Sequence, residues 1–251
     1  MLQSSWGCIC IFLNVEDASW GVEHVFFIIF PVVIITVLVI LKYLEFRKSE
    51  YKAESGNSFI RTVFNLGNHG EFLTFAILEQ LRCHKRLLVN LYIPKKDGAT
   101  TEIDLIMIAQ SGIYVFESKN LSGWIYGHER NKQWTQVLKN GQKNRFLNPV
   151  WQNRGHISAL KQFLGKHKPN LFKSYIVFSE RCRLKDITVT SPDVVVIKRN
   201  ELLSAVKTEM GISSELLSVE EVDEIYVRLL DCAHVGRAVK QIHIDSLKAR
   251  M

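Results

Sequence analysis

From Val25 to Leu41 the chain runs VFFIIFPVVIITVLVIL without a charge, and continuing to Leu44 gives 20 residues. As a helix that run measures about 30 Å, the thickness of a bilayer's hydrocarbon core. The pattern predicts one membrane-spanning helix over 25–44, with Trp20 and Tyr43 at interfacial positions, Lys42 able to snorkel, and Pro31 placed to kink it. A cleaved signal peptide competes with this reading, but no positive charge precedes the run and no small-residue cleavage site follows it. Residues 1–24 form a short exoplasmic segment in this scheme. Residues 45–58 (EFRKSEYKAESGNS) are polar, end in a Gly/Asn/Ser cluster and read as a linker, so the folded domain begins near Phe59.

Beyond the linker the periodicity changes. Helical spacing of Phe72, Phe75, Ala76, Leu78 and Leu81 predicts a helix from Asn68 to about Arg82. Three strands follow, near Arg86–Ile93, Thr101–Ala109 and Gly112–Lys119, the last two joined by a short turn as a hairpin. Trp124–Tyr126 and Gln133–Val137 predict a second hairpin around the polar stretch GHERNK. Asn148 and Pro149 supply an N-cap and a first helical residue for a helix to about Gly165. Strands at Ser174–Phe178 and Val194–Ile197, then helices at Asn200–Met210 and Glu215–Asp231, complete the chain, and residues 181–251 are expected to pack on or extend a domain of residues 59–180.

Charge sharpens the picture. The 251 residues carry a net +7, yet residues 1–41 hold Glu16, Asp17 and Glu23 and no Lys or Arg, which leaves +10 on residues 42–251. Lys42, Arg47, Lys48 and Lys52 directly follow the span, so the positive-inside rule predicts a single-pass protein of the cytoplasmic membrane with its C-terminal domain in the cytoplasm. A basic domain is attracted to nucleic acid or to anionic head groups, and charge alone does not choose. Apolar residues make up 47% of the chain, enough for a packed core. Five scattered cysteines (Cys8, Cys10, Cys83, Cys182, Cys232) form no CxxC pair or zinc-ligand cluster and fit free thiols in a reducing compartment.

The chemistry concentrates in TEIDLIMIAQSGIYVFESKN, where Asp104, Glu117 and Lys119 interrupt two nearly apolar strands. Alternation puts Glu117 and Lys119 on one face and Ser118 on the other. A connecting loop of two or four residues sets Asp104 directly opposite Glu117, with Cβ atoms about 5 Å apart. Two facing carboxylates repel, and a divalent cation between them reverses the sign. Oxygen ligands favour Mg²⁺ or Mn²⁺ over zinc, with the Ser118 carbonyl available as a further ligand and Lys119 placed to hold the attacking water. The plainer alternative makes Asp104 a solvated carboxylate near a turn, and Glu117 with Lys119 an exposed edge.

Asp104, Glu117 and Lys119 resemble the core of the PD-(D/E)xK nucleases, with Ile103 in place of the usual Pro. The surroundings resemble the nuclease-related NERD branch: Gly70-Glu71 opening a helix, Glu102-Ile103-Asp104, GIYVFESKN, the Gly123/Gly127 hairpin, Trp134, and Asn148-Pro149 with Gln152. The resemblance spans about residues 65–165. It implies a restriction-endonuclease-like α/β fold, a mixed sheet flanked by helices and preceded here by one transmembrane helix. By position it also implies Glu71 as an acidic helper at the metal and Gln152 as a polar residue turned toward the site.

Each of these residues has a structural reading as well. Glu71 stands three residues after Asn68, the spacing of a capping box. Gln152 and His156 share a helix face, and for His156 solvation is the expectation. Trp124 and Trp134 read first as core aromatics, and the basic run Lys139, Lys143, Arg145 and Arg154 as a solvated face that near a metal site could follow phosphates. Three functions are therefore in play: a metal-dependent nuclease acting on DNA or RNA, a non-catalytic membrane-tethered nucleic-acid-binding or assembly module, and a lipid-binding surface beside the anchor.

Overall fold

A helix that is apolar all round has no side to turn toward a protein core, and the first element behaves so. In a computed structural model that describes residues 15–95, 98–166, 168–233 and 235, with side chains from residue 27 onward, helix α1 covers Val15–Lys48. Its segment Phe27–Lys48 is long and apolar enough to cross a membrane, with a mean hydropathy of 2.7 over an 18-residue window, and the large apolar side chains from Phe27 to Leu44 are exposed. The helix continues through Pro31. Cys8 and Cys10 lie outside the described residues. The chain divides into two units, Met1–Lys48 and Ser49–Met251.

In the second unit the order is α2 (Tyr51–Ser55), α3 (Phe59–Phe64), α4 (Leu66–Glu79), β1 (Lys85–Pro94), β2 (Thr100–Ala109), β3 (Gly112–Lys119), β4 (Gly123–His128), β5 (Gln133–Val137), β6 (Lys143–Leu147), α5 (Pro149–Leu164), β7 (Phe172–Phe178), β8 (Cys182–Thr188), β9 (Val194–Lys198), α6 (Leu202–Ile212) and α7 (Val219–Ala233). Five strands form a mixed sheet in the order β1-β2-β3-β7-β9, the first three antiparallel and β7 and β9 parallel to β3. Four form a second sheet, β6-β5-β4-β8. Helix α5 crosses over between the parallel strands β3 and β7, the connection parallel pairing requires. With α7 it covers one face of the larger sheet through a core of Ile106, Ile108, Val115, Leu160, Val222 and Leu229. On α4, Phe72, Phe75 and Leu78 are buried, and this helix meets β2 and β3.

The structure departs from the sequence reading at several places in the fold, among them helix α3, which was not expected. The stretch expected as a linker contains α2, because Tyr51 is apolar enough to bury completely, edge-on to Phe72 and Phe75. Helix α4 begins two residues before the expected start, since the Asn65 side chain accepts the Asn68 N–H and serves as N-cap. Strands β6 and β8 were not expected; KNRFL and CRLKDIT have few apolar residues and no sustained alternation, and are held by their neighbours rather than by propensity. Trp124 is 45% exposed, whereas Trp134, at 1%, is the core aromatic, stacked on Phe178.

Candidate active site

The site forms where β2 and β3 part. Their two-residue connection, Gln110-Ser111, sets the register in which Asp104 would face Glu117, but pairing ends at Leu105↔Phe116. On the other side β1 and β2 pair continuously except at Asn90 and Asp104, between Val89↔Leu105 and Leu91↔Ile103. Asn90 has φ 54°, in the left-handed region that Asn tolerates better than most residues. Leu88, Ile106 and Ile108 on one side of this interruption share a core with Leu91, Ile93 and Ile103 on the other, so side-chain alternation slips by one residue there. Asp104 therefore leaves the ladder, and its Oδ2 accepts the Ser118 N–H at 2.9 Å. Asp104 stays near enough to Glu117 to be repelled by it, but the strand pair does not close there, and the Asp104 carboxylate is bonded to the backbone of the strand that carries Glu117.

Glu117 is 3% exposed and engaged at both oxygens. Oε1 accepts from Lys119 Nζ at 2.6 Å, and Oε2 pairs with His156 Nε2 at 3.1 Å. An ionised carboxylate only accepts, so Nε2 carries a proton; in the neutral ring Nδ1 then accepts from Thr101 Oγ1, 2.9 Å away. His156, expected to be solvated, is 8% exposed because α5 lies against β2 and β3. Burial raises the Glu117 pKa, but Lys119 and His156 outweigh it and hold the group down at about 2. Burial works against the Lys119 charge, and Glu117 with Asp104 restore it and raise its pKa.

The neighbouring acids shift the other way. Burial first, then Glu117 and Glu71, push Asp104 well above its ordinary range. Glu71 is raised to about 7 by burial and by Glu102 and Glu117. Glu71 is no cap; it lies in the second turn of α4, within 3.4 Å of the Tyr51 hydroxyl. Gly70 permits this placement, since a Cβ there would lie 2.9 Å from Asn120 Cβ, just beyond β3. Ser118 Oγ meets Thr74 Oγ1 of α4 at 3.2 Å. Gln152 sits one turn before His156 on α5, and among the described residues its side chain has no hydrogen bond to Asp104, Glu117 or Lys119. Arg154 is not free to meet phosphates, because its guanidinium is bonded to Glu129 and Ser191.

Sequence reasoning gave His156 no role beyond solvation, quoted Glu102 only as part of a motif, and missed Tyr51; Glu102 Oε1 accepts from Tyr92 Oη at 2.5 Å. For His156 the signal was present in its spacing from Gln152 and in the Asn148-Pro149 helix start. For Tyr51, in an otherwise polar stretch, there was none. Among the described residues no three His, Cys, Asp or Glu side chains stand close enough to hold a metal ion. Asp104 and Glu71, raised by burial first and by neighbouring carboxylates second, are groups whose ionised forms a nearby cation would favour, and Mg²⁺ is commonly held by one or two carboxylates while keeping several waters.

The model of the nuclease-related domain family, NERD, matches residues 66–179. An uncharacterized protein of Bacillus anthracis is 32% identical over 182 residues, which covers 72% of this chain and 83% of that protein. No solved structure matches the chain.

Proposed function

Because the chain belongs to the nuclease-related domain family, we propose that it is a membrane-anchored, metal-dependent hydrolase of phosphodiester bonds in DNA or RNA. The observation that carries this reading is the gathering of Asp104, Glu117, Lys119 and His156 where β2 and β3 diverge, in a domain otherwise closed over an apolar core. Asp104 and Glu117 would hold Mg²⁺ or Mn²⁺, with Glu71 beside them. The Ser118 carbonyl would join them, since the N–H and C=O of one strand residue point to the same side and this N–H already meets Asp104. When bound, the ion supplies Lewis-acid polarisation of the scissile phosphate.

The chain's own groups do the rest. His156 fixes the Glu117 carboxylate and is a positioning residue. Lys119, held as an ammonium, cannot act as a base; one of its three N–H donors is spent on Glu117 and the others are available to orient a water and the phosphate oxygens. Gln152, on the face of α5 that carries His156, offers a polar group toward substrate. Anchorage by α1, with Lys42, Arg47 and Lys48 on its C-terminal side, would put Ser49–Met251 on the cytoplasmic face of the inner membrane by the positive-inside rule; a reporter fused after Met251 that works only in the exoplasmic space would reverse that orientation.

The test is cleavage of single- and double-stranded DNA and RNA by the full chain in detergent, with and without divalent cations. Asp104→Ala is expected to cost roughly 10²–10³-fold in rate and to weaken metal binding. Lys119→Met should lose cleavage more than metal affinity. The occupation of both Glu117 oxygens by Lys119 and His156 favours a second reading, a tethered nucleic-acid-binding module without turnover. Retention of nucleic acid by wild type with no divalent-dependent cleavage would establish that module in place of the enzyme.

A further inference from the structure

The four-stranded sheet turns one face inward and leaves the other open. Ile125, Trp134, Phe146, Cys182 and Leu184 pack inward, so the alternate positions point out. Across the outer face the register aligns Lys143, Val137, Trp124 and Arg183 in one row, and Arg145, Thr135, Tyr126 and Asp186 in the next. A bulge between Ile125 and Tyr126 makes Lys185 an extra residue of β8, and its Nζ lies 5.5 Å from the centroid of the exposed Trp124 ring. Two aromatic residues thus occupy the interior strand β4, with cations on the edge strands β6 and β8. Three strand spacings, about 14 Å, separate those edges.

Lys143, Arg145, Arg183 and Lys185 are exposed. Among the described residues none of them lies within ion-pair distance of a carboxylate. Asp186 is the one acid on these four strands. We propose that this face binds single-stranded nucleic acid, with bases stacked on Trp124 and Tyr126 and phosphates met by Lys143 and Arg145 at one edge and Arg183 and Lys185 at the other. Stacking requires a base that is not already stacked, so a single strand fits and a duplex does not. Insertion into a lipid surface would need the rings to project beyond the cations, whereas here they lie between them. Because β4 starts four residues after Lys119, a strand held here is carried by the same polypeptide segment as the candidate site. The inference deepens the nucleic-acid reading above and needs no turnover.

The test uses the full chain in zwitterionic nanodiscs, in EDTA, with labelled single strands about 12 nucleotides long and the matching duplex. Trp124→Ala is expected to weaken single-strand binding about tenfold and duplex binding less. Arg183→Glu with Lys185→Glu should weaken it further at low salt and flatten its salt dependence. Unchanged single-strand affinity in Trp124→Ala, or loss of anionic-vesicle capture in both variants while oligonucleotide binding persists, would overturn the proposal. Binding that follows these expectations in a protein that never cleaves would support this surface while refuting the nuclease.

Discussion

The two sheets of the soluble unit treat charge in opposite ways. Helices meet both faces of the central strands of the five-stranded sheet, so each ionised group placed there loses water and has to be matched by a partner. Glu117 is matched by Lys119 and His156, whereas Asp104, with one backbone N–H, is under-matched and its pKa is pushed upward. The four-stranded sheet has one open face, where Lys143, Arg145, Arg183 and Lys185 keep their hydration and need no partner. A charge in the first sheet is therefore informative by its cost; a charge in the second acquires meaning only from its neighbours.

The sharpest way to break this comparison is to change an aromatic residue on each face of the four-stranded sheet. Trp134 is buried against Phe146 and Phe178, so Trp134→Ala should cost about 3–5 kcal/mol and lower the Tm of the soluble unit by on the order of 10 °C. Trp124→Ala, on the outer face, should cost less than about 1 kcal/mol. Chemical denaturation of both variants in the full chain measures the gap. Similar losses would mean that the outer face is covered by protein and is no binding surface.

The same contrast governs what the sequence disclosed. Asp104, Glu117 and Lys119 stood out because their strands are otherwise apolar, and the short Gln110-Ser111 connection made the β2–β3 register predictable. The slip at Asn90 and Asp104 was not legible: a polar residue in a strand gives no sign of adopting positive φ, and that local event opened the ladder at Asp104 and gave its carboxylate a bond to the Ser118 N–H. His156 depended on how α5 docks, which periodicity does not specify. Strands β6 and β8 were hidden because alternating Lys and Arg on an open face look the same in a strand as in a solvated loop. Tyr51 shows the limit of composition, since one aromatic ring in a polar stretch found a pocket on α4.

A smaller perturbation tests how tightly the inner face of the four-stranded sheet is packed. A Cβ at Gly127 would lie 2.1 Å from the Trp134 ring, and that ring is backed by Phe178 and cannot retreat. Gly127→Ala should therefore destabilise by about 1–3 kcal/mol. Combining it with Trp134→Ala should restore part of that loss, because the clash and the ring vanish together, and a double-mutant cycle on unfolding free energies reads the coupling. Additive losses would show that the glycine answers to backbone conformation rather than to the ring.

The smallest effects are electrostatic and carry opposite signs in two acids. Glu129 is held at about 2, against an ordinary 4.5, first by the Ser191 hydroxyl and then by the Thr190 N–H, with Arg154 also bonded to it. Its folded pKa is depressed, so it stabilises the fold fully above about pH 4.5 and that contribution disappears as pH falls toward 2. Glu71 is raised from 4.5 to about 7, by burial and then by Glu102. In the window between those values the unfolded chain releases a proton that the folded chain keeps, so stability declines as pH rises from about 4.5 to 7, and the deficit persists above 7. Glu71→Gln should consequently gain stability over wild type between pH 5 and pH 8, on the order of 1 kcal/mol, when thermal unfolding is followed in EDTA. Glu129→Gln should instead be less stable than wild type at pH 7, by an amount that shrinks on acidification. Adding Mg²⁺ at pH 8 should narrow the Glu71→Gln advantage, because a cation bound among the carboxylates relieves the repulsion that the substitution removes. A gap that ignores Mg²⁺ would remove the electrostatic case for a metal beside Glu71 and leave only its burial.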